Sequence, residues 1–143
     1  MGNRGLNSGG AVSWDGNEPK GLKENNYTSN EAAYGGSIAS YASALVSVDE
    51  NGVPINRGRS LNDEFLTNMT SVVSGQSSGL VIRAALTDGN GEIIRNDNTS
   101  TALLFSKSAG ISLSGVLQVS AIKGIFVFND FKITAAPGDS VVI

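Results

Sequence analysis

Three Asn-x-Ser/Thr triplets carry the most specific chemistry in this chain: Asn26-Tyr27-Thr28, Asn68-Met69-Thr70 and Asn98-Thr99-Ser100. The pattern is the acceptor for N-linked glycan transfer, and each triplet falls where the sequence reads as loop or turn, within reach of a transferase. Coincidence in a chain rich in Asn, Ser and Thr is the competing explanation. Trp14 and Tyr27 offer a second chemistry. Their flat rings can stack on sugars, or they can pack the N-terminal segment against the rest of the chain with polar edges reaching water. Carboxylates gather loosely at Asp49-Glu50, Asp63-Glu64, Asp88 and Asp97. Calcium takes such oxygen ligands, but no stretch has the alternating spacing and distal Glu of a calcium loop. Asp88-Gly89-Asn90-Gly91 is better explained as a turn. No cofactor is therefore expected, and calcium is the one cation the acidic loops leave open. Paired carboxylates for glycoside chemistry would have to converge across a long groove, which so short an N-terminal segment cannot supply, so no catalytic residue is expected. Lys107, Lys123 and Lys132 lie on or near strands, yet no motif marks an Asn or Asp partner for an isopeptide bond.

The residues that are missing narrow the chemistry further. The 143-residue chain has no histidine and no cysteine. That removes imidazole bases, Ser-His and Cys-His nucleophile pairs, disulfides, and nearly all zinc, haem and iron–sulfur ligand sets. The formal net charge is −3. No basic patch of the kind a phosphate backbone requires is present, so nucleic acid is not an expected partner. No apolar run approaches the ~20 residues of a membrane helix, so no membrane insertion is expected. Met1-Gly2-Asn3-Arg4 lacks the apolar stretch of a secretory signal. Eighteen glycines and only 16% charged residues indicate short strands and many turns. The length fits one domain with at most a small appendage.

The elements that must position these side chains divide near residue 41. Residues 1–41 are Gly- and Asn-rich with isolated apolar side chains. That suits either a disordered or extended arm or a coil of short stacked strands, and the coil is preferred. Gly9, Gly10 and Ala11 form a corner where a larger side chain would strike the next turn. Val12 and Trp14 alternate on one face, as a strand requires. Asn30 is expected to direct its amide inward and bond the backbone of a turn. Ser8-Gly9-Gly10-Ala11-Val12 followed by Tyr27-Thr28-Ser29-Asn30 resembles the repeats of pectin-lyase-like β-helix proteins, including the polymorphic membrane protein repeats of bacterial surface adhesins. The likeness covers residues 8–36, with Tyr27 where that family usually has Phe. It implies a terminal rung, which needs neighbouring rungs or a docking surface to bury its faces.

Residues 42–143 read as strands separated by turns. Expected strands are Ala44–Val48, Ser71–Val73, Gly79–Asp88, Glu92–Arg95, Ser100–Phe105, Gly115–Ala121, Ile125–Phe128, Phe131–Thr134 and Ser140–Ile143. Asp49-Glu50-Asn51-Gly52 is a turn, and residues 56–70 form a long polar loop with room for one helical turn at Leu61, Phe65 and Leu66. Short strands at this spacing describe a sandwich. Four features of the stretch Leu80 to Ile143 resemble bacterial and filamin-type immunoglobulin-like repeats of large surface proteins. They are Asp88-Gly89-Asn90-Gly91, Ser100-Thr101, Gly124-Ile125-Phe126-Val127-Phe128 and Ala136-Pro137-Gly138. The resemblance implies a spacer or adhesion module without family-wide catalytic residues. Its last strand runs beyond the position of Ile143, which predicts either an early end here or completion by another chain. Ser140, Val141, Val142 and Ile143 are uncharged and β-prone, which makes them strand-exchange candidates.

The expectation is an all-β protein, an immunoglobulin-like β-sandwich at residues 42–143 with an N-terminal β-helix-rung-like or extended arm at residues 1–41. Its expected role is that of a non-enzymatic structural module of an extracellular or cell-surface protein or filament, glycosylated at Asn26, Asn68 and Asn98. Expected partners are copies of itself or neighbouring domains of the same protein. The alternative is a carbohydrate-binding adhesin module that takes glycans on Trp14 and Tyr27.

Overall fold

A computed structural model of the chain describes residues 2–55, 59–60, 68–69, 73–76, 79–138 and 141–142. The helical turn expected at Leu61, Phe65 and Leu66, the residues Ser71 and Val72, and the terminal Ser140 and Ile143 lie outside these residues. Among the described residues, regular structure is β throughout, apart from one 3-10 turn at Leu22–Glu24. None of it is a helix long and apolar enough to cross a membrane.

The strands are β1 (Val12–Ser13), β2 (Ile38–Ala39), β3 (Ala42–Ser47), β4 (Arg59–Ser60), β5 (Asn68–Met69), β6 (Ile82–Asp88), β7 (Thr101–Leu103), β8 (Ser112–Gly115), β9 (Gln118–Ser120), β10 (Ile125–Phe128), β11 (Phe131–Thr134) and β12 (Val141–Val142). They form one four-stranded sheet in the order β10-β6-β3-β4 and four two-stranded sheets, β1-β2, β11-β8, β12-β5 and β7-β9. Every pairing is antiparallel except β1 with β2.

β6 is the centre of the body, and it is buried on both faces. Ile82, Ala84 and Leu86 point into the main core, where they meet Phe126 and Phe128 of β10, Phe131 and Ile133 of β11, and Leu104 and Ala121. Ala85 points the other way, into a smaller core with Val46, Val48 and Ile93. Two covered faces explain why the β6 sequence reads as a near-continuous apolar run, whereas β11 alternates buried and exposed side chains.

Two sequence expectations differ from the structure in detail. Glu92–Arg95 is not an extended strand. Ile93 bridges Thr87, Ile93 belongs to the small core and Ile94 to the main one, so the pair wraps the sheet instead of lying along it. The stretch Gly115–Ala121 is not one strand either. Gly115 has φ +101, and the chain kinks there from β8, which pairs with β11, into β9, which pairs with β7. β8 is hard to see in sequence because Ser112-Leu113-Ser114-Gly115 offers only Leu113 to the core. The turn at Lys123-Gly124 takes positive φ at both residues (51 and 73), the conformation that joins two twisted strands with least splay.

Candidate assembly site

Two turns of the N-terminal segment lie one on the other. Arg4 bridges Glu31, Ser8 bridges Tyr34, and Val12 pairs with Ile38, all in parallel, at separations of 27, 26 and 26 residues. Backbone bonds run the length of the contact. Gly5 N–H donates to Glu31 C=O (2.7 Å), Glu31 N–H to Asn3 C=O (2.9 Å), Gly10 N–H to Gly36 C=O (2.9 Å) and Trp14 N–H to Ala39 C=O (3.1 Å). Asn30 adds a side-chain link. Its Oδ1 accepts the Asn3 N–H (2.9 Å) and its Nδ2 donates to Ser37 Oγ (3.3 Å), so the amide joins one turn to the other.

The corner glycines stack in the same register. Gly9 (φ +53) lies 26 residues before Gly35 (φ +58), and both need the left-handed conformation that Gly tolerates best. A Cβ on Gly10 would collide with the backbone of the turn below, at Gly36 O, Glu31 O and Glu31 N. A Cβ on the equivalent Gly36 would meet only Asn30 O, at 3.6 Å. The sequence signal for this stacking is a repeat: Tyr34-Gly35-Gly36-Ser37-Ile38 matches Ser8-Gly9-Gly10-Ala11-Val12 in its Gly-Gly pair and its aliphatic residue. Arg4 and Glu31 face each other at 3.9 Å, both well exposed, and such a pair contributes little.

The second turn is fastened to the body through Asp88, at the end of β6. The Asp88 carboxylate is buried and accepts four hydrogen bonds. Oδ2 takes the Ser40 N–H (2.9 Å) and Asn90 Nδ2 (3.2 Å), and Oδ1 takes the N–H groups of Asn90 (2.8 Å) and Glu92 (3.0 Å). Ser40, also buried, returns the contact, its Oγ accepting the Gly89 N–H at 2.7 Å. Tyr34 donates its hydroxyl to Ser40 C=O (3.0 Å). Burial raises the Tyr34 phenol above its ordinary pKa and the Asp88 charge adds to this, outweighing a hydrogen bond with Ser8, so Tyr34 stays a donor. Trp14 closes the junction. Its ring meets Tyr41 edge-on with centroids 5.7 Å apart, and it lies against Gly89, where a Cβ would come within 3.8 Å of it. The turn Asp88–Gly91 thus spends its carboxylate on N–H donors. Sequence reasoning did not single out Ser40, and it read Asp88 only as part of a turn.

The remaining sequence candidates are spread over the molecule. Asn26 is exposed in the loop after the 3-10 turn. Asn98 is exposed too, but its side chain is in use: Oδ1 accepts the Lys123 N–H (2.9 Å) and Nδ2 donates to Asn96 C=O (3.4 Å). Asn68 begins β5, where it pairs with Val142, while Met69 pairs with Val141. Of the strand-exchange candidates, Val141 and Val142 therefore pair within the chain. Of the two aromatic candidates, Trp14 is committed to the junction and Tyr27 stands half-buried in the loop between the turns. Asp49 Oδ1 caps its own turn by accepting the N–H groups of Asn51 and Val53. Asp63 and Glu64 lie outside the described residues.

Asp97 makes a comparable cap beside Asn98. Burial opposes its ionisation. Backbone hydrogen bonds from Ser100 and Thr99, with side-chain bonds from the same residues, outweigh that and hold its carboxyl below the ordinary 3.8. A lowered folded pKa means that the ionised cap stabilises fully above the ordinary value and that this contribution is lost as pH falls from there through the lowered one. Asp97→Asn is therefore expected to flatten the stability profile below about pH 4, as read by urea unfolding at a series of acid pH values.

Comparison with protein-family models, curated proteins and solved structures finds no match for this chain.

Proposed function

We propose that this chain is a non-enzymatic structural module of an extracellular surface protein or filament. In this account residues 1–41 are the end of a β-helix-like coil, docked on an immunoglobulin-like sandwich, and the module assembles by β-strand pairing. The observation that carries it is the side of the outer turn to which no described residue bonds. Residues 3–14 bond on one side to the turn below, through a register of 26 or 27 residues. Leu6, in that outer turn, is 93% exposed. A stacked repeat buries its faces only against neighbours, so such a turn suits a further turn laid on it in the same register. The cores on both faces of β6 support the sandwich, since an antiparallel body with two covered faces is a layered one. Glycosylation belongs to the same account. Asn26, exposed and in a loop, is the best placed acceptor, whereas Asn98 would first have to give up its bond to Asn96.

Adding a turn tests this directly. A chain carrying a second copy of residues 3–29 ahead of Asn3 sets another Asn and another Gly-Gly pair in register with the two already present. Covering Leu6 and pairing the outer backbone is expected to add about 2 kcal/mol, a rise of roughly 5 °C in the unfolding midpoint. The same addition with the glycines of its Gly-Gly pair changed to valine is expected to add nothing. If the in-register turn gives no gain over the valine version, the outer turn is not a stacking surface.

A further inference from the structure

We infer that the outer edge of β7 is a docking surface for a second copy of this chain, which pairs antiparallel with it through its own β7. β7 is joined to β9 with Thr101 opposite Ser120, Ala102 opposite Val119 and Leu103 opposite Gln118. Flanking bonds set the phase. Ala121 N–H donates to Ser100 C=O (2.8 Å) and Leu104 N–H to Leu117 C=O (2.7 Å), so the even-numbered residues of this strand bond to β9. In an antiparallel ladder the alternate residues then turn their N–H and C=O groups the other way. Those residues are Thr101, Leu103 and Phe105, and no described strand pairs with that edge.

The side chains around this edge are equally unprotected. Ala102, Leu104, Leu117 and Val119 face the core, which leaves the opposite face to their neighbours. There Leu103 is 64% exposed, Phe105 48%, Val116 46% and Ile122 73%. Residues 99–105, Thr-Ser-Thr-Ala-Leu-Leu-Phe, contain no charge and no proline, the usual guards of an edge strand. The four large side chains together expose on the order of 400 Å² of apolar surface, the scale at which a patch on a monomer commonly has a partner.

A second copy fits this edge by symmetry. Pairing about a two-fold axis at Leu103 sets Leu103 against the partner's Leu103, and Thr101 against the partner's Phe105. Every residue so matched is one that directs its backbone groups outward, so the ladder closes without a gap. The result is a four-stranded sheet with the two apolar patches side by side. Its buried area, counting both patches and the paired backbone, comes to roughly 1,200 Å², at the lower end of specific interfaces. The other uncharged, β-prone segment, β12, is already paired with β5.

Sedimentation velocity of the full chain, run from about 1 to 100 µM, tests the inference. A monomer–dimer equilibrium is expected. Leu103→Lys and Phe105→Lys should each weaken it by at least about tenfold, because an edge lysine opposes strand addition. Circular dichroism, and unfolding midpoints measured at concentrations where the chain is monomeric, should not change, since both side chains are exposed. The dimer does not use the outer turn of the coil, so Leu6→Lys should leave it intact, and the two surfaces can fail separately. A chain that remains monomeric at the highest concentration overturns the inference. So does a dimer indifferent to both β7 lysines, or one abolished by Leu6→Lys.

Discussion

Asp88→Ala is expected to cost about 4 kcal/mol and to release the N-terminal turns from the body. Hydrogen bonds to an ionised group contribute more than neutral ones, and removing the acceptor leaves buried donors with nothing to bond. Here the donors are the buried backbone N–H of Ser40 and the part-buried N–H groups of Asn90 and Glu92. Ser40 is the residue through which the second turn meets the body, and its own hydroxyl holds the Gly89 N–H. Asp88→Asn keeps the shape but turns an amide toward donors, so a smaller loss of about 2 kcal/mol is expected. The single tryptophan of the chain makes the release visible. Trp14 lies in the junction against Tyr41 and Gly89, so undocking should red-shift its emission at denaturant concentrations where the β6 sheet is still folded. A loss under about 1 kcal/mol with unchanged Trp14 emission would show that Asp88 does not hold the junction.

The second large effect is a contrast between two glycines at equivalent places in the repeat. Gly10→Ala is expected to cost about 3 kcal/mol, because a Cβ there already meets backbone at Gly36 O, Glu31 O and Glu31 N. None of these atoms can move without breaking the ladder, in which Gly10 N–H itself bonds Gly36 C=O. Gly36→Ala should be nearly neutral, within about 0.5 kcal/mol, since its Cβ meets only Asn30 O at ordinary contact distance. The difference arises because Gly10 has backbone of the next turn packed against it, whereas a Cβ on Gly36 makes only an ordinary contact with Asn30 O. Equal costs at the two positions, measured by urea unfolding, would mean that stacking does not decide what Gly10 tolerates.

Much of this was legible in the sequence, for reasons that can be named. The all-β class followed from glycine-rich punctuation and short apolar runs, and β6, β10 and β11 fall within the stretches that their apolar patterns mark. Asn30 was expected to bond turn backbone, and its amide does reach Asn3. The repeat at residues 34–38 was less visible because only Gly-Gly and one aliphatic residue recur, while the flanking residues differ. β8 was hidden for a related reason, since one inward Leu113 among serines leaves little periodicity to read. Of the junction, only the packing role open to Trp14 could be read, and not the polar bonds that fasten it. Ser40 and Asp88 are 48 residues apart, and nothing local to either shows that a buried carboxylate will meet a backbone N–H. The exposed face of β7 and β9 was invisible for the converse reason. An apolar residue in an alternating strand is assigned to the core, and only the packed structure separates Leu104, turned inward, from Leu103 and Phe105, turned out.

The measurement that bears most directly on the central claim is electron microscopy of the protein isolated from its natural source. Assembly through open strands predicts ordered multi-subunit particles or fibres with a regular axial repeat. Uniform single particles, no larger than one chain at every concentration imaged, would contradict it.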